Sequence, residues 1–230
     1  MSISLNFGNS ATFTSTNSPS LKAWGIYDVV FEGAEYSVIQ GKKDANTSFE
    51  LLKFNFNSPD GRYTETFFAP KAGDEVRKTR TNNNGHMVEM ASNVETLMTT
   101  VKHILGTLSP DNLNKLLGKP FKSFKEFAET VIKATTSSNG KEVKIKLVGD
   151  KEGKAKSPYC VSVFSNGGEA TISNNFICSK EGKLFFSDYE TTQMKNMTTS
   201  KPTIMPSNTS KPSIIDEEDE DEGELDFDLV

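Results

Sequence analysis

The chain is poor in the residues that most often perform chemistry in proteins. Its 230 residues include two histidines, two cysteines and one tryptophan. Glycine-rich phosphate loops, dinucleotide-binding fingerprints, zinc-protease helices and serine-hydrolase elbows are all lacking. His86 lies in an asparagine-rich stretch and His103 in a predicted helix, where surface or capped imidazoles are more common than bases or metal ligands. The sequence therefore predicts a protein that is not an enzyme and has no cofactor and no metal site.

Long apolar runs are also lacking. Nowhere do about eighteen apolar residues follow one another, as a membrane-spanning helix requires. Residues 1–20 are rich in serine, threonine and asparagine rather than in the apolar residues of a secretion signal, and they predict a flexible N-terminal segment. These absences predict a cytoplasmic protein.

The charges are divided between a basic body and an acidic end. Ten of the 31 acidic residues lie in residues 216–230, which contain no basic residue, whereas all 26 lysines and arginines lie in residues 1–215. Residues 1–215 therefore carry a net charge of +5, although the whole chain carries −5. This division predicts a body that meets a polyanion and a tail that shields the body or recruits another molecule.

The acidic tail, residues 216–230, ends in alternating apolar and acidic residues. Apolar side chains flanked by carboxylates are typical of a peptide that docks into a groove of a partner. The predicted partner-binding residues are Leu225, Asp226, Phe227, Asp228, Leu229 and Val230. The alternative is a disordered tail that only keeps the protein soluble. Residues 190–215 combine threonine, serine, asparagine and proline, and they predict a flexible linker that lets the tail reach the body.

The spacing of apolar residues changes twice along the body. Aromatic and β-branched stretches predict strands over residues 24–31, 48–56 and 62–68. Helical spacing then predicts three helices within residues 92–134. Period-two segments predict further strands over residues 142–148, 159–164, 171–178 and 183–189, with residues 150–157 as a polar turn.

The order of strands, helices and strands favours an α+β fold. An OB-like antiparallel β-barrel over residues 21–189, with a helical insertion at about 92–134 between strands three and four, accounts for this order. Another α+β sandwich is the alternative.

Lysine or arginine recurs beside aromatic residues in the predicted strands. Cations that hold phosphates and flat rings on which bases stack are the parts of a site for single-stranded nucleic acid. The predicted contacts are Trp24, Tyr27, Lys42, Lys43, Lys53, Arg62, Tyr63, Lys71, Arg77, Lys78, Arg80, Lys144 and Lys146. The alternative is that Phe54, Phe56, Phe67 and Phe68 belong to the core and the lysines merely face water.

A basic OB-like body, a linker rich in proline, serine, threonine and asparagine, and an acidic C-terminus with an aromatic tip resemble the single-stranded-DNA-binding proteins of bacteria and especially of bacteriophages. The motif-like part is residues 216–230, particularly Asp226-Phe227-Asp228. In the bacterial proteins the tip more often ends in proline and phenylalanine, whereas this chain continues to Leu229-Val230, as more divergent phage versions do.

The resemblance implies a non-catalytic protein that coats single-stranded DNA during replication, recombination or repair, in the host cytoplasm if a phage encodes it. Its tail would recruit replication or recombination proteins and compete with DNA for the basic groove. Both a monomer and a homo-oligomer remain open.

Two other functions fit parts of the sequence. A structural or chaperone-like interaction protein would use the nucleic-acid-mimicking tail to hold basic clients without binding DNA. A metal-dependent nuclease with dispersed carboxylates would show metal-dependent turnover. Binding to oligo(dT) separates the DNA-binding protein from the interaction protein.

Overall fold

A curled antiparallel sheet and four α-helices organise the computed structural model, so the fold is α+β. The structure describes residues 19–41, 47–81, 85, 87–150, 152–158 and 176–199. All of them belong to a unit that spans Met1–Thr199, and Ser200–Val230 form a second unit.

Three strands that follow one another in the chain supply most of the sheet. They are β1 (Gly25–Gln40), β2 (Ser48–Ser58) and β3 (Gly61–Phe68). A β-bulge between Phe31 and Gly33 shifts the register of β1, and such bulges bend and twist a strand. The first part of β1 pairs with β6 (Glu142–Gly149), and the part from Val30 onward pairs with β2. One bent strand therefore joins the two halves of the sheet.

Shorter strands complete the sheet and add a separate hairpin. The strand order is β3-β2-β1-β6-β7, in which β7 is Ala155–Lys156, and β8 (Ile177–Ser179) also pairs with β6. The hairpin consists of β4 (Lys78–Thr81) and β5 (Met87–Met90).

The first three helices lie between β5 and β6 in the chain. They are α1 (Asn93–Leu108), α2 (Pro110–Leu116) and α3 (Phe124–Thr135), followed by a 3₁₀ turn at Thr136–Ser138. The Ser92 hydroxyl accepts a hydrogen bond from the Glu95 amide, and the Glu95 carboxylate accepts one from the Ser92 amide, which starts α1 with a capping box. Within the described ranges, no helix has the length and apolar character needed to cross a membrane.

One hydrophobic core lies between the inner side of the sheet and helices α1 and α3. It joins side chains of β1, β2 and β6 to those of the two helices and to Phe176. Its largest fully buried apolar members are Phe31, Phe54, Phe56, Phe176, Leu52, Ile104, Ile145 and Leu147. The helices therefore cover the inner side of the sheet and leave the outer side of β2 and β3 uncovered by them.

The C-terminal part of the body differs from its prediction. Residues 183–187 form no strand, and α4 (Asp188–Thr199) extends into the segment expected as a flexible linker. The Ser187 hydroxyl accepts from the Glu190 amide at 3.2 Å, and the Glu190 carboxylate accepts from the Ser187 amide at 2.7 Å. This is the reciprocal capping that starts helices, and its Ser-x-x-Glu spacing is present in the sequence.

Other observed element boundaries also differ from the predicted ones. β1 runs to Gln40, well past the expected end at residue 31, and the hairpin β4–β5 was not expected. The turn predicted over residues 150–157 contains β7. The predicted strand over 159–164, most of 171–178, residues 1–18 and the acidic tail lie outside the described residues.

Candidate nucleic-acid interface

The register of β2 and β3 separates their inner from their outer side chains. Leu52, Phe54 and Phe56 are buried, and they lie opposite Phe67, Glu65 and Tyr63 on the inner side. The alternate positions form what we call the outer face of β2–β3. Its polar members are Lys53, Asn55, Asn57, Arg62, Thr64 and Thr66.

Two phenylalanine rings meet at one end of this outer face. The ring centres of Phe49 and Phe68 are 6.2 Å apart, and their planes are nearly perpendicular at 88°. Phe68 is 54% exposed, which is high for a phenyl side chain. The Lys71 ammonium lies 5.3 Å from the centre of the Phe49 ring, within the range of a cation–π contact.

These side chains line a groove that we call the aromatic groove. It has a volume of about 430 Å³, and α1 contributes its opposite wall. It is lined by Phe49, Thr66, Phe67, Phe68, Ala69, Lys71, Asp74, Asn93, Thr96 and Leu97. The Phe49 and Phe68 rings beside the Lys71 ammonium suit a flat ring that carries a negative charge, and the Asp74 carboxylate at the same groove confines that charge to the Lys71 side.

A short loop holds Lys71 in position. The Asp74 carboxylate accepts hydrogen bonds from the Lys71 amide and from the Asn93 side-chain amide, both at 2.7 Å. The bond from the Lys71 amide is the main reason that the pKa of Asp74 lies below its ordinary value, and the Asn93 bond adds to it. Asp74 therefore stays charged and ties the loop to the first turn of α1.

The two cations on the outer face have acidic neighbours. Lys53 lies 3.2 Å from a Glu35 oxygen, and Arg62 lies 3.8 Å from a Glu32 oxygen. Exposed ion pairs of this kind are worth about 0–1 kcal/mol and are screened by salt. A phosphate can replace either carboxylate at little cost, but the face is less positive than the sequence suggested.

Two rings predicted for the binding face lie on the core side instead. The Tyr63 ring centre is 6.0 Å from that of Phe176, and the Tyr63 hydroxyl donates to Glu65. Tyr27 packs against the core, and its hydroxyl donates to the Lys22 carbonyl at 2.9 Å. The alternation of β1 and β3 turns both positions inward, so neither ring lies on the outer face.

Arg77 belongs to a structural ion pair rather than to an open phosphate site. Its guanidinium Nε donates to both Glu95 oxygens, at 3.0 and 2.9 Å, and Nη1 lies 3.4 Å from Glu89. The Arg77 guanidinium is the main cause that lowers the pKa of Glu95 to about 2. Arg77, predicted as a nucleic-acid contact, is thus paired with Glu95, and this pair fastens the start of β4 to α1.

Trp24, Lys144 and Lys146 lie under the C-terminal segment of the body. Lys146 is 1% exposed and donates to both Glu190 carboxylate oxygens, at 2.9 and 2.8 Å. Lys144 donates to main-chain carbonyls in the same segment, and the half-buried Trp24 ring lies 6.4 Å from that of Phe186. Lys146, predicted as a nucleic-acid contact, is therefore already paired with a carboxylate in this structure.

The remaining predicted residues are scattered. Lys78 is exposed on β4, and Arg80 lies on the same strand. Lys42, Lys43 and the six predicted tail residues lie outside the described residues. Lys53, Arg62 and Lys71 are therefore the predicted cations that the structure brings to one open surface.

Sequence reasoning missed the two rings of the aromatic groove. A signal was available, because Phe49 is four residues before Lys53 and Phe68 is six residues after Arg62. Even spacing along a strand places side chains on the same side. The alternative stated above places Phe67 and Phe68 together in the core, although neighbouring strand positions face opposite sides.

A buried carboxyl joins the two ends of the sheet. Glu65, on the edge strand β3, accepts a hydrogen bond at 2.9 Å from the hydroxyl of Ser157, which directly follows β7 at the other end of the strand order. Its second oxygen accepts from Tyr63. Burial raises the pKa of Glu65, although both hydrogen bonds act in the opposite direction.

Comparison of the chain with protein-family models, with curated proteins and with solved structures found no match. Over the ranges that the structure describes, no cluster of three or more histidine, cysteine or acidic side chains is arranged to hold a metal ion.

Proposed function

We propose that the protein binds single-stranded DNA along the outer face of β2–β3 and in the aromatic groove, and that it acts as a non-catalytic coating protein. The observation that carries the proposal is the contacting ring pair Phe49 and Phe68, open to solvent beside Lys71. Bases stack on aromatic rings for about 1–3 kcal/mol each without a sequence code.

The polar side chains beside the rings suit a nucleic-acid backbone. Lys53, Arg62 and Lys71 offer charge to phosphates, and the asparagine and threonine side chains of the outer face offer hydrogen bonds. Contacts of this kind bind any sequence, because they address the backbone and the flat surface of each base.

The topology supports an OB-like body as the finer description of the fold. β1, β2 and β3 follow one another, three helices come next, and β6 returns to pair with the first part of β1. We infer that α1–α3 are the helical insertion between the third and fourth strands of such a barrel. OB folds bind oligonucleotides on the face of strands two and three, the face that carries the aromatic groove here.

Titration with oligonucleotides tests the function. We expect sequence-tolerant binding of oligo(dT) that is tighter than binding of a duplex, with log affinity falling by about 0.7 per neutralised phosphate as log salt rises. The measurement is fluorescence anisotropy of labelled oligo(dT) and of a labelled duplex at several salt concentrations. Affinity that is independent of salt, or equal for duplex and single strand, would contradict the proposal.

A protein-interaction function is the second candidate, and one observation favours it. Ile39, opposite Phe49 in the pairing of β1 with β2, is exposed together with Phe68, while Lys53 and Arg62 already have carboxylate neighbours. An apolar peptide would use the same rings without needing the cations. Binding of client peptides with no binding of oligo(dT) would select this function.

We propose that the acidic tail recruits replication or recombination proteins through its apolar tip and competes with DNA for the body. Deleting residues 216–230 is expected to strengthen oligo(dT) binding several-fold at low salt and much less at high salt, because salt screens both polyanions. Phe227→Ala is expected to leave DNA affinity unchanged and to weaken pull-down of a partner, because Phe227 supplies apolar area rather than charge.

Anisotropy and pull-down with the full chain, the truncation and the point variant measure both effects. If DNA affinity is unchanged at every salt concentration and all partners are retained, the tail is only a solubilising segment.

A further inference from the structure

The outer side of the sheet is covered at its β6 end. We call the covering segment, residues 180–199, the strap; it contains α4. Lys144 and Lys146 alternate with core residues on β6, so both point to the same outer side as the cations of β2–β3. The strap therefore lies where the proposed DNA-binding face would otherwise continue.

The groups that the strap offers to β6 resemble those of a nucleic-acid strand. A carboxylate, from Glu190, and a main-chain oxygen, from Phe185 at 3.0 Å, accept hydrogen bonds from the Lys146 ammonium. The Phe186 ring lies 5.7 Å from the same ammonium and 6.4 Å from the Trp24 ring. The Glu190 carboxylate therefore lies where a phosphate would bind, and the Phe186 ring lies where a base would stack.

Lys144 lies two residues before Lys146 on β6 and also donates hydrogen bonds to the strap. Its ammonium donates to the carbonyl oxygens of Lys180 and Gly182. The two ammonium groups lie on one side of β6, and oxygens of a single chain segment accept their hydrogen bonds. The phosphate oxygens of a nucleic-acid backbone can accept the same hydrogen bonds.

The strap is also only weakly packed against the rest of the body. No α4 side chain that the structure describes is buried, and four of the twelve residues of α4 are threonines, which favour helices weakly. Most helical stability comes from packing of an apolar face, and the apolar side chains of α4 are limited to an exposed Tyr189 and the half-buried Met194 and Met197. When the strap opens, Lys146 becomes accessible to water. Opening therefore leaves no buried charge without a partner.

We propose that Trp24, Lys144 and Lys146 form a second single-stranded-DNA subsite, and that the strap occupies it until DNA takes its place. The inference rests on the proposed function, because it extends the same face. DNA phosphates replace the Glu190 carboxylate on Lys146, and a base replaces the Phe186 ring on Trp24. Binding is thereby coupled to release of the strap, which is followed in the chain by residues 200–215 and the acidic tail.

Hydrogen exchange of the full-length protein tests the release directly. With saturating oligo(dT), amide exchange in residues 188–199 is expected to become faster, whereas exchange in β1–β3 becomes slower. Unchanged or slower exchange in residues 188–199, in a protein that does bind oligo(dT), would overturn the second subsite and leave the proposed function intact.

A pair of matched variants gives the second arm. Glu190→Gln weakens the ion pair with Lys146 but keeps a capping side chain, and it is expected to bind oligo(dT) several-fold more tightly than the parent. Glu181→Gln removes the same charge from an exposed position of the strap and serves as the control. Equal affinities of the two variants would also overturn the subsite, because net charge alone would then explain the change. Absence of any oligo(dT) binding by the parent would overturn both the subsite and the proposed function.

Discussion

Phe68→Ala is expected to weaken oligo(dT) binding by about 1–3 kcal/mol, which is about 5- to 150-fold in affinity. The reason is the loss of a stacking surface, since Phe68 is 54% exposed and contacts Phe49 edge-on at 6.2 Å. Phe49→Ala is expected to have a similar effect, because it removes the other ring and the cation–π partner of Lys71.

The stability of Phe68→Ala should remain close to that of the parent. Exposed side chains contribute little to the core, so circular dichroism and urea unfolding are expected to show an intact fold. Leu117→Ala is a suitable control, because Leu117 is also an exposed apolar side chain, at 54%, and lies outside both the aromatic groove and the C-terminal segment that covers β6. Equal oligo(dT) affinities of Phe68→Ala, Leu117→Ala and the parent would remove the groove from the binding site.

The salt dependence of oligo(dT) affinity distinguishes the contribution of the two rings from that of Lys71. Phe68→Ala is expected to lower affinity by the same factor at every salt concentration, because stacking involves no counterion release. Lys71→Gln is expected to reduce the slope of log affinity against log salt by about 0.7, the value for one phosphate contact on a single strand.

Glu65→Ala is expected to destabilise the body by about 2–4 kcal/mol. Two donors, the hydroxyls of Tyr63 and Ser157, lose their acceptor, and a buried donor without a partner costs about 1–3 kcal/mol. Glu65→Gln keeps an acceptor oxygen and is expected to retain most of the stability at neutral pH. Urea unfolding of the parent and both variants measures these differences.

The same residue gives a stability difference that depends on pH. Burial raises the pKa of Glu65 above its ordinary value of 4.5, so the folded chain holds this proton at pH values where the unfolded chain has released it. The contribution of the protonated carboxyl is complete below about pH 4.5 and decreases as the pH rises toward the folded-state pKa.

The free energy of unfolding of the parent, minus that of Glu65→Gln, is therefore expected to fall as the pH increases from 4.5. Subtracting the variant cancels the contributions of the other carboxyls. Glu129→Gln, which changes an exposed side chain of α3, is the control and should give no such trend. Parallel curves for the parent and Glu65→Gln would contradict the raised pKa.

Local patterns in the sequence determined much of the architecture. The stripe of apolar residues and the caps at Ser92 and Ser123 located α1 and α3, because helical spacing and capping depend on residues three and four positions apart. Alternation located β2, β3 and β6 for the same reason, since side chains two positions apart share a side. The α+β class followed from the order of these segments.

The tertiary structure decided which predicted site residues lie together. Whether Tyr63 or Phe68 reaches solvent depends on which side of β3 the helices cover, and that follows from contacts between distant segments. The pairing of Lys146 with Glu190 joins residues 44 positions apart, so no pattern of neighbouring residues predicts it. The sequence determined the inventory of rings and cations and the acidic end of the chain, whereas strand register and the docking of the strap decided which of them form one open surface.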